Sequence, residues 1–200
     1  MHFTTKEIFK ALSKVLSNLN KKDIEDFLSI TTYKKVNKNM IIQRSGLQTK
    51  KVFLILKGTV RGYIINEKGV EITILIRSNG IFVADTGTLF TDDPQRMTFK
   101  PIDEAHILLF NYKDFESLAN ENSRIMQLHL NALKEAITRL FYRVESLTTM
   151  TNEERYKDIV ALNPHFIKTT NAKYLANYLG ITPQSLSRIM KRIKDNKKLT

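Results

Sequence analysis

Seven apolar residues, Met126, Leu130, Leu133, Ile137, Leu140, Val144 and Leu147, recur at alternating spacings of four and three. That is a heptad seam over three repeats, and only a long helix keeps such residues on one line. At ~1.5 Å per residue, the stretch from Asn122 to Met150 would extend roughly 40 Å. A seam of this length suits pairing with a second copy better than covering a small sheet, so the expected dimer contacts are Leu130, Leu133, Ile137, Leu140, Val144 and Leu147.

The segments on either side have different textures. Residues 4–30 carry Ile8, Leu12, Val15, Leu16 and Leu19 at helical spacing, and Asn20 with Asp23 forms a capping signal for a second short helix. From about Tyr33 to Phe110, short β-rich runs alternate with turns. The expected strands are Met40–Gln43, Val52–Leu56, Thr59–Ile65, Glu71–Ile76, Ile81–Ala84, Met97–Pro101 and Ala105–Phe110. Glycines at 46, 58, 69 and 80 punctuate them. Short strands at even spacing, with no strand–helix–strand alternation, predict an antiparallel sandwich or jelly roll. Helical pattern then runs from Asp114 to Met150. Thr151 with Glu154 is a further capping box, which places a hinge at 148–152 and a new helix ending near Asn163-Pro164. The fold class is therefore α+β, in three parts: residues 1–113, 114–150 and 151–200.

Residues 171–193 read NAKYLANYLGITPQSLSRIMKRI. Leu175 and Leu179 share one face of a first helix, and small Ala176 lets a second helix cross closely. Gly180 suits a left-handed turn, while Thr182 and Pro183 open the next helix. Leu186 and Ile189 point back at the first helix. This is a helix-turn-helix pattern. The second helix presents Gln184, Ser185, Ser187, Arg188, Lys191 and Arg192 on its other face. Gln184 and Arg188 suit adenine and guanine edges in a major groove, Lys191, Arg192 and Lys194 suit the phosphates, and Thr182 is counted with them among the expected DNA-binding residues. Charge agrees. Of a formal net +12, residues 151–200 supply half, with 10 basic and 4 acidic side chains.

Zero cysteines exclude disulfides, thiolate zinc and iron–sulfur clusters. Apolar runs such as Val52–Leu56 fall far short of the ~20 residues that span a bilayer, and lysines at 6, 10 and 14 interrupt any signal core. A cytoplasmic protein without membrane association is expected. No His-x-His occurs for a cupin-like metal site, so no enzyme is expected.

Three pieces, SNLNKKDIEDFLSITTYKKVNKNMIIQRSG (17–46), VFLILKGTVRGY (52–63) and YLANYLGITPQSLSRIMKRI (174–193), resemble the catabolite-activator/FNR (Crp/Fnr) family of bacterial transcription regulators. The resemblance extends over residues 8–195. It implies an N-terminal β-roll of the cyclic-nucleotide-binding kind, a long dimerisation helix and a C-terminal helix-turn-helix. It also implies that the chain forms a homodimer on a pseudo-palindromic DNA operator and contacts RNA polymerase. Where the family often has Glu-x-x-Ser-Arg, this chain has Gln184 before Ser187-Arg188.

Cyclic-nucleotide members of that family carry Gly-Glu and then Arg-Ser in the roll. Here Ala84-Asp85 and Arg96-Met97 stand there, so Asp85, Arg96 and Met97 mark the candidate effector pocket, and cAMP is not expected in it. Haem is not expected either. His106 falls in a strand pattern and His129 in the long helix, and His2 and His165 make no ligand-spaced pair. No cofactor is assigned. The alternative reading is a ligand-binding roll whose C-terminal helices bind a protein partner. Members usually continue into a β-hairpin wing, and the expectation is that Lys197 to Thr200 end the chain without one.

Overall fold

The computed structural model describes residues 3–162, 167 and 170–196. The chain opens with α1 (Thr5–Val15) and α2 (Lys21–Ser29). Each starts in a reciprocal capping box. Thr4 Oγ1 accepts from the Glu7 amide at 3.3 Å, and Asn20 Oδ1 from the Asp23 amide at 2.9 Å. Buried Leu12, Ile24 and Phe27 turn inward from the two helices.

Seven strands follow: β1 (Thr32–Val36), β2 (Lys51–Lys57), β3 (Val60–Ile65), β4 (Glu71–Arg77), β5 (Phe82–Val83), β6 (Thr98–Pro101) and β7 (Ala105–Asn111). They form two antiparallel sheets, ordered β1-β7-β2-β5 and β4-β3-β6. The expected jelly-roll texture is what the chain adopts. β2 and β7 are buried along nearly their whole length. Phe53, Ile55 and Ile107 fill the space between the sheets, where Phe53 meets Phe99 edge-on at 5.5 Å. Leu54, Leu108 and Phe110 face the other way, onto the helices. Gly58, between β2 and β3, has φ +98°, and a Cβ there would meet the Glu104 carbonyl oxygen at 2.5 Å.

Three details correct the sequence reading. Met40–Gln43 is not a strand, because Met40 and Ile41 are exposed and only Gln43 bridges to Phe99. β1 supplies the missing strand. A five-residue helix, α3 (Thr86–Phe90), follows β5. Finally, the region 114–150 is broken into α4 (Tyr112–Glu121) and α5 (Ser123–Thr149). Asn122 is extended and caps α5, its Oδ1 accepting from the Arg124 amide at 3.0 Å.

α5 has 27 residues, roughly 40 Å. α6 (Asn152–Leu162) restarts through the Thr151–Glu154 box, with 2.8 Å from the Thr151 amide to Glu154 Oε2. The turn between them is held by Arg155. Its buried guanidinium donates to the carbonyls of Ser146 at 3.2 Å and Met150 at 2.7 Å, and to the Asn152 side chain. It thus satisfies acceptors that the end of α5 leaves open. Then come α7 (Ala172–Leu179) and α8 (Pro183–Asn196). The expected stop at Asn163-Pro164, His2, His165 and the wing question at 197–200 lie outside the described residues.

Candidate nucleic-acid interface

α7 begins where Asn171 Oδ1 accepts from the Tyr174 amide at 2.9 Å. It ends at Gly180, φ +74°, whose amide and that of Ile181 return to the carbonyls of Asn177 and Ala176 at 3.1 and 3.0 Å. That is the left-handed exit the sequence predicts. Thr182 Oγ1 then accepts from the Ser185 amide at 3.1 Å, and Pro183 occupies the first position of α8. Leu175, Ala176, Leu179, Leu186 and Ile189 are buried together with Tyr156. The two helices therefore pack across a single tight turn, in the order the sequence reading expects.

Packing those residues inward turns the rest of α8 outward. Thr182, Gln184, Ser187, Arg188, Lys191 and Arg192 are exposed and Ser185 is half-buried. Among the described residues, Gln184, Arg188 and Lys191 have no side-chain partner. Arg192 differs, since its guanidinium is ion-paired with Glu153 of α6. Glu153 also takes Lys157 at 2.8 Å, and the two cations lower its pKa.

The α7–α8 pair is docked on the roll. The Asn177 side chain accepts the Thr73 amide of β4, and Ile76 and Ile102 join the same apolar cluster as Leu175 and Leu179. Arg61 of β3, bonded to Glu71 at 2.5 Å, lies against the ring of Tyr174. Sequence spacing gives no signal for these contacts, because their partners are about a hundred residues apart.

α5 sorts its residues by face. Ile125 and Ser146 are buried, and His129, Arg139 and Arg143 are half-buried against the chain's own roll and α7. The seam lies roughly a quarter-turn or more around the helix. Leu130, Ile137, Leu140, Val144 and Leu147 are exposed (Leu140 at 63%), and Leu133 is half-buried.

The expected effector residues do not converge on a cavity. Asp85 is buried, but its carboxylate is spent on backbone. Oδ2 accepts from the amides of Arg96 at 2.8 Å and Met97 at 2.7 Å, and Oδ1 caps α3 at Gly87, 3.2 Å away. The short aspartate thus staples the loop where a longer carboxylate would reach outward. The Arg96 side chain is exposed, and of the three only Met97 lines the cleft beneath α5. His106 is bonded to Tyr33 Oη at 2.6 Å and to Glu104 at 3.2 Å, and His129 to Tyr112 Oη at 3.0 Å. Among the described residues no cluster of three or more metal-ligating side chains occurs, and no helix is long and apolar enough to cross a membrane.

The chain thus joins a β-roll through one long helix to a packed pair of C-terminal helices. Residues 33–122 match the family model of the cyclic nucleotide-binding domain. The anaerobic regulatory protein of Bacillus subtilis (strain 168) is 26% identical over 130 residues, 60% of this chain and 54% of that one, so the match spans about half of that relative's length. Two solved structures share the fold over most of both chains. FixK2 from Bradyrhizobium japonicum has a TM-score of 0.68 at 15% identity, over 84% of this chain and 86% of that one. A protein from Eubacterium rectale described as a Crp/Fnr-family transcriptional regulator has 0.68 at 15%, over 91% and 87%. The resemblance read from the sequence therefore stands as a resemblance: residues 33–122 match the cyclic nucleotide-binding domain, and the chain shares its fold with a Crp/Fnr-family regulator.

Proposed function

We propose that the chain is a homodimeric, sequence-specific DNA-binding regulator of transcription. The observation that carries this reading is the unpartnered polar face of α8, where Gln184, Arg188 and Lys191 project from a buried helix-turn-helix core. Gln184 and Arg188 stand near the N-terminal end of α8, the end that enters a major groove in this docking geometry. Arg188 offers a bidentate fork for guanine O6 and N7, and Gln184 an amide for adenine N6 and N7. Lys191 takes phosphate, and Arg192 joins it by exchanging Glu153 for the DNA backbone. The exposed seam of α5 supports pairing of two copies, which sets two recognition helices about one DNA turn, ~34 Å, apart.

Regulation in this reading runs through the docking of α7 on β4 and the Arg155-held turn between α5 and α6. A ligand acts only through its different affinities for the docked and undocked arrangements. Asp85 has already filled the amides of residues 96 and 97, which speaks against cAMP as that ligand. Contact with RNA polymerase and location in the cytoplasm follow from the same reading.

Selection from a random duplex pool, followed by gel shift across a salt series, tests it. An enriched pseudo-palindrome with half-sites one turn apart is expected. No enrichment at any salt concentration would overturn it, and capture of a protein partner by residues 151–200 would then favour the sensor-only alternative.

A further inference from the structure

Glu153, in the first turn of α6, reaches across to α8. Its carboxylate takes two cations at once, Lys157 one turn along its own helix at 2.8 Å and Arg192 on α8. Only 23% of the Glu153 side chain is exposed, against 60% for Lys157 and 59% for Arg192, so the acid sits behind the cations it holds. With Thr151, Asn152 and Glu154, these three side chains line a recess of about 510 Å³ where α6 meets α8. The packing of α8 does not depend on the pair, because Leu186 and Ile189 bury it against Leu175, Leu179 and Tyr156. Ion pairs between largely exposed cations and a carboxylate add little to stability in any case.

A carboxylate seated between an ammonium and a guanidinium fills the place a phosphate would take, since both anions offer oxygens to the same donors. Resting on the DNA-binding reading of α8, we propose that Glu153 is a built-in competitor for one DNA phosphate. It holds Arg192 and Lys157 in the free chain and yields them to the backbone in the complex. The consequence lies in the count of ions. A free cation that meets a phosphate releases about one counterion from the DNA. A cation given up by Glu153 releases the same counterion, but the bared carboxylate draws another from solution. The contact is then nearly independent of salt, and Glu153 trims the sequence-independent part of the affinity at this one phosphate.

Salt titrations of the whole chain on its selected operator and on a random duplex, followed by fluorescence anisotropy, test the proposal. Glu153→Gln should tighten binding to both duplexes at low salt and steepen the slope of log affinity against log salt by about one. Between about 50 and 200 mM salt the variant should therefore lose roughly threefold more affinity than the parent. Glu25→Gln makes the same change of charge at an exposed position on α2 and should keep the parent's slope. Arg192→Gln alone should leave the slope nearly unchanged, because Glu153 already cancels that cation. Equal slopes for the parent and Glu153→Gln, weaker binding by that variant, or the same steepening in Glu25→Gln overturns the proposal. A slope shallower by about one in Arg192→Gln overturns it too, even if the Glu153 variant does not fold. Absence of binding by the parent to either duplex overturns the DNA-binding reading together with the proposal, whereas each of the other failures leaves that reading standing.

Discussion

The guanidinium of Arg61 lies 3.8 Å from the ring centre of Tyr174 and thereby joins the β-roll to α7. Tyr63 covers its other side at 4.3 Å, and only 2% of Arg61 is exposed. Its Nε and Nη1 have no hydrogen-bond acceptor, so the two aromatic faces and Glu71 carry the compensation of its charge. A desolvated pair of this kind contributes about 2 kcal/mol. Tyr174→Ala should therefore release the helix-turn-helix from β4 and raise amide exchange across α7, while the exchange of β2 and β7 stays unchanged. Tyr174→Phe keeps the ring and should behave as the parent. Equal protection of α7 in the alanine variant would refute the clasp.

At the other end of the molecule, Arg124 holds buried Asp23 with Nε–Oδ2 and Nη2–Oδ1 distances of 2.5 and 2.9 Å, tying α2 to the start of α5. Arg124 is the first cause of a carboxyl held well below the usual carboxylate range, and Asn122 and the Asn20 amide add to it. Asp23→Asn should cost about 2 kcal/mol in urea denaturation at pH 7. The folded pKa lies below the unfolded value of about 3.9, so this stability is complete above that pH and fades as the pH falls beneath it. The gap between parent and variant should then narrow below about pH 4. A gap that does not change with pH would show the loss to be steric.

His129 gives a second pH signature of the same sign near neutrality. It sits between Tyr112, Phe115 and the roll, and burial lowers its pKa. The unfolded chain, with an imidazole near 6.5, takes up a proton before the folded one does. Stability should fall as the pH drops through and below about 6.5, and His129→Gln should flatten that part of the melting-temperature profile. Parallel profiles for the two proteins would exclude His129 as the source.

The elements legible in the sequence are those whose signal is local. The helix that carries the residues from Met126 to Leu147 and the left-handed turn at Gly180 are both encoded by local spacing, and both elements appear where the sequence places them. β1 was hidden because Thr32-Tyr33-Lys34-Lys35-Val36 is an edge strand with polar alternation, and its pairing with β7 supplies what its composition does not. α3 was hidden because Thr-Gly-Thr-Leu-Phe has little helix propensity and depends on the Asp85 cap. Met40-Ile41-Ile42 misled in the opposite sense, being apolar without a ladder to join. At the effector loop the sequence reading assigned Asp85 and Arg96 to one candidate pocket, and the two do meet, through the Arg96 amide. It could not tell that the carboxylate would turn to backbone and the guanidinium to solvent. Arg61 and Arg143 were illegible for one reason: each meets a partner, Tyr174 and Tyr178, that tertiary packing brings from far along the chain.

The seam makes its own prediction. Ile137 and Leu140 are 55% and 63% exposed, so charges there leave the packing of a single chain intact. Ile137→Glu with Leu140→Glu should shift sedimentation from dimer to monomer and leave the near-ultraviolet circular dichroism unchanged. A dimer that survives both changes would mean that copies pair through another face.

Under the proposed function, Arg188 and Lys191 should separate base reading from backbone positioning within one helix. Arg188→Ala should cost about 1–3 kcal/mol on the selected operator and relax the preference at one base pair of each half-site, because a bidentate fork to guanine is lost. Lys191→Ala should weaken all sequences alike and reduce the slope of affinity against salt by about one, since it removes one phosphate contact and its released counterion. Arg192→Ala differs again. Its guanidinium leaves Glu153 to reach phosphate, and the cost of breaking that pair offsets part of the gain, so its loss should weaken binding less than the loss of Lys191. Fluorescence anisotropy with the operator and with single-base variants at four salt concentrations measures all three. A uniform effect of Arg188→Ala across every sequence would reassign it to the backbone, and a sequence-dependent effect of Lys191→Ala would bring it into the groove.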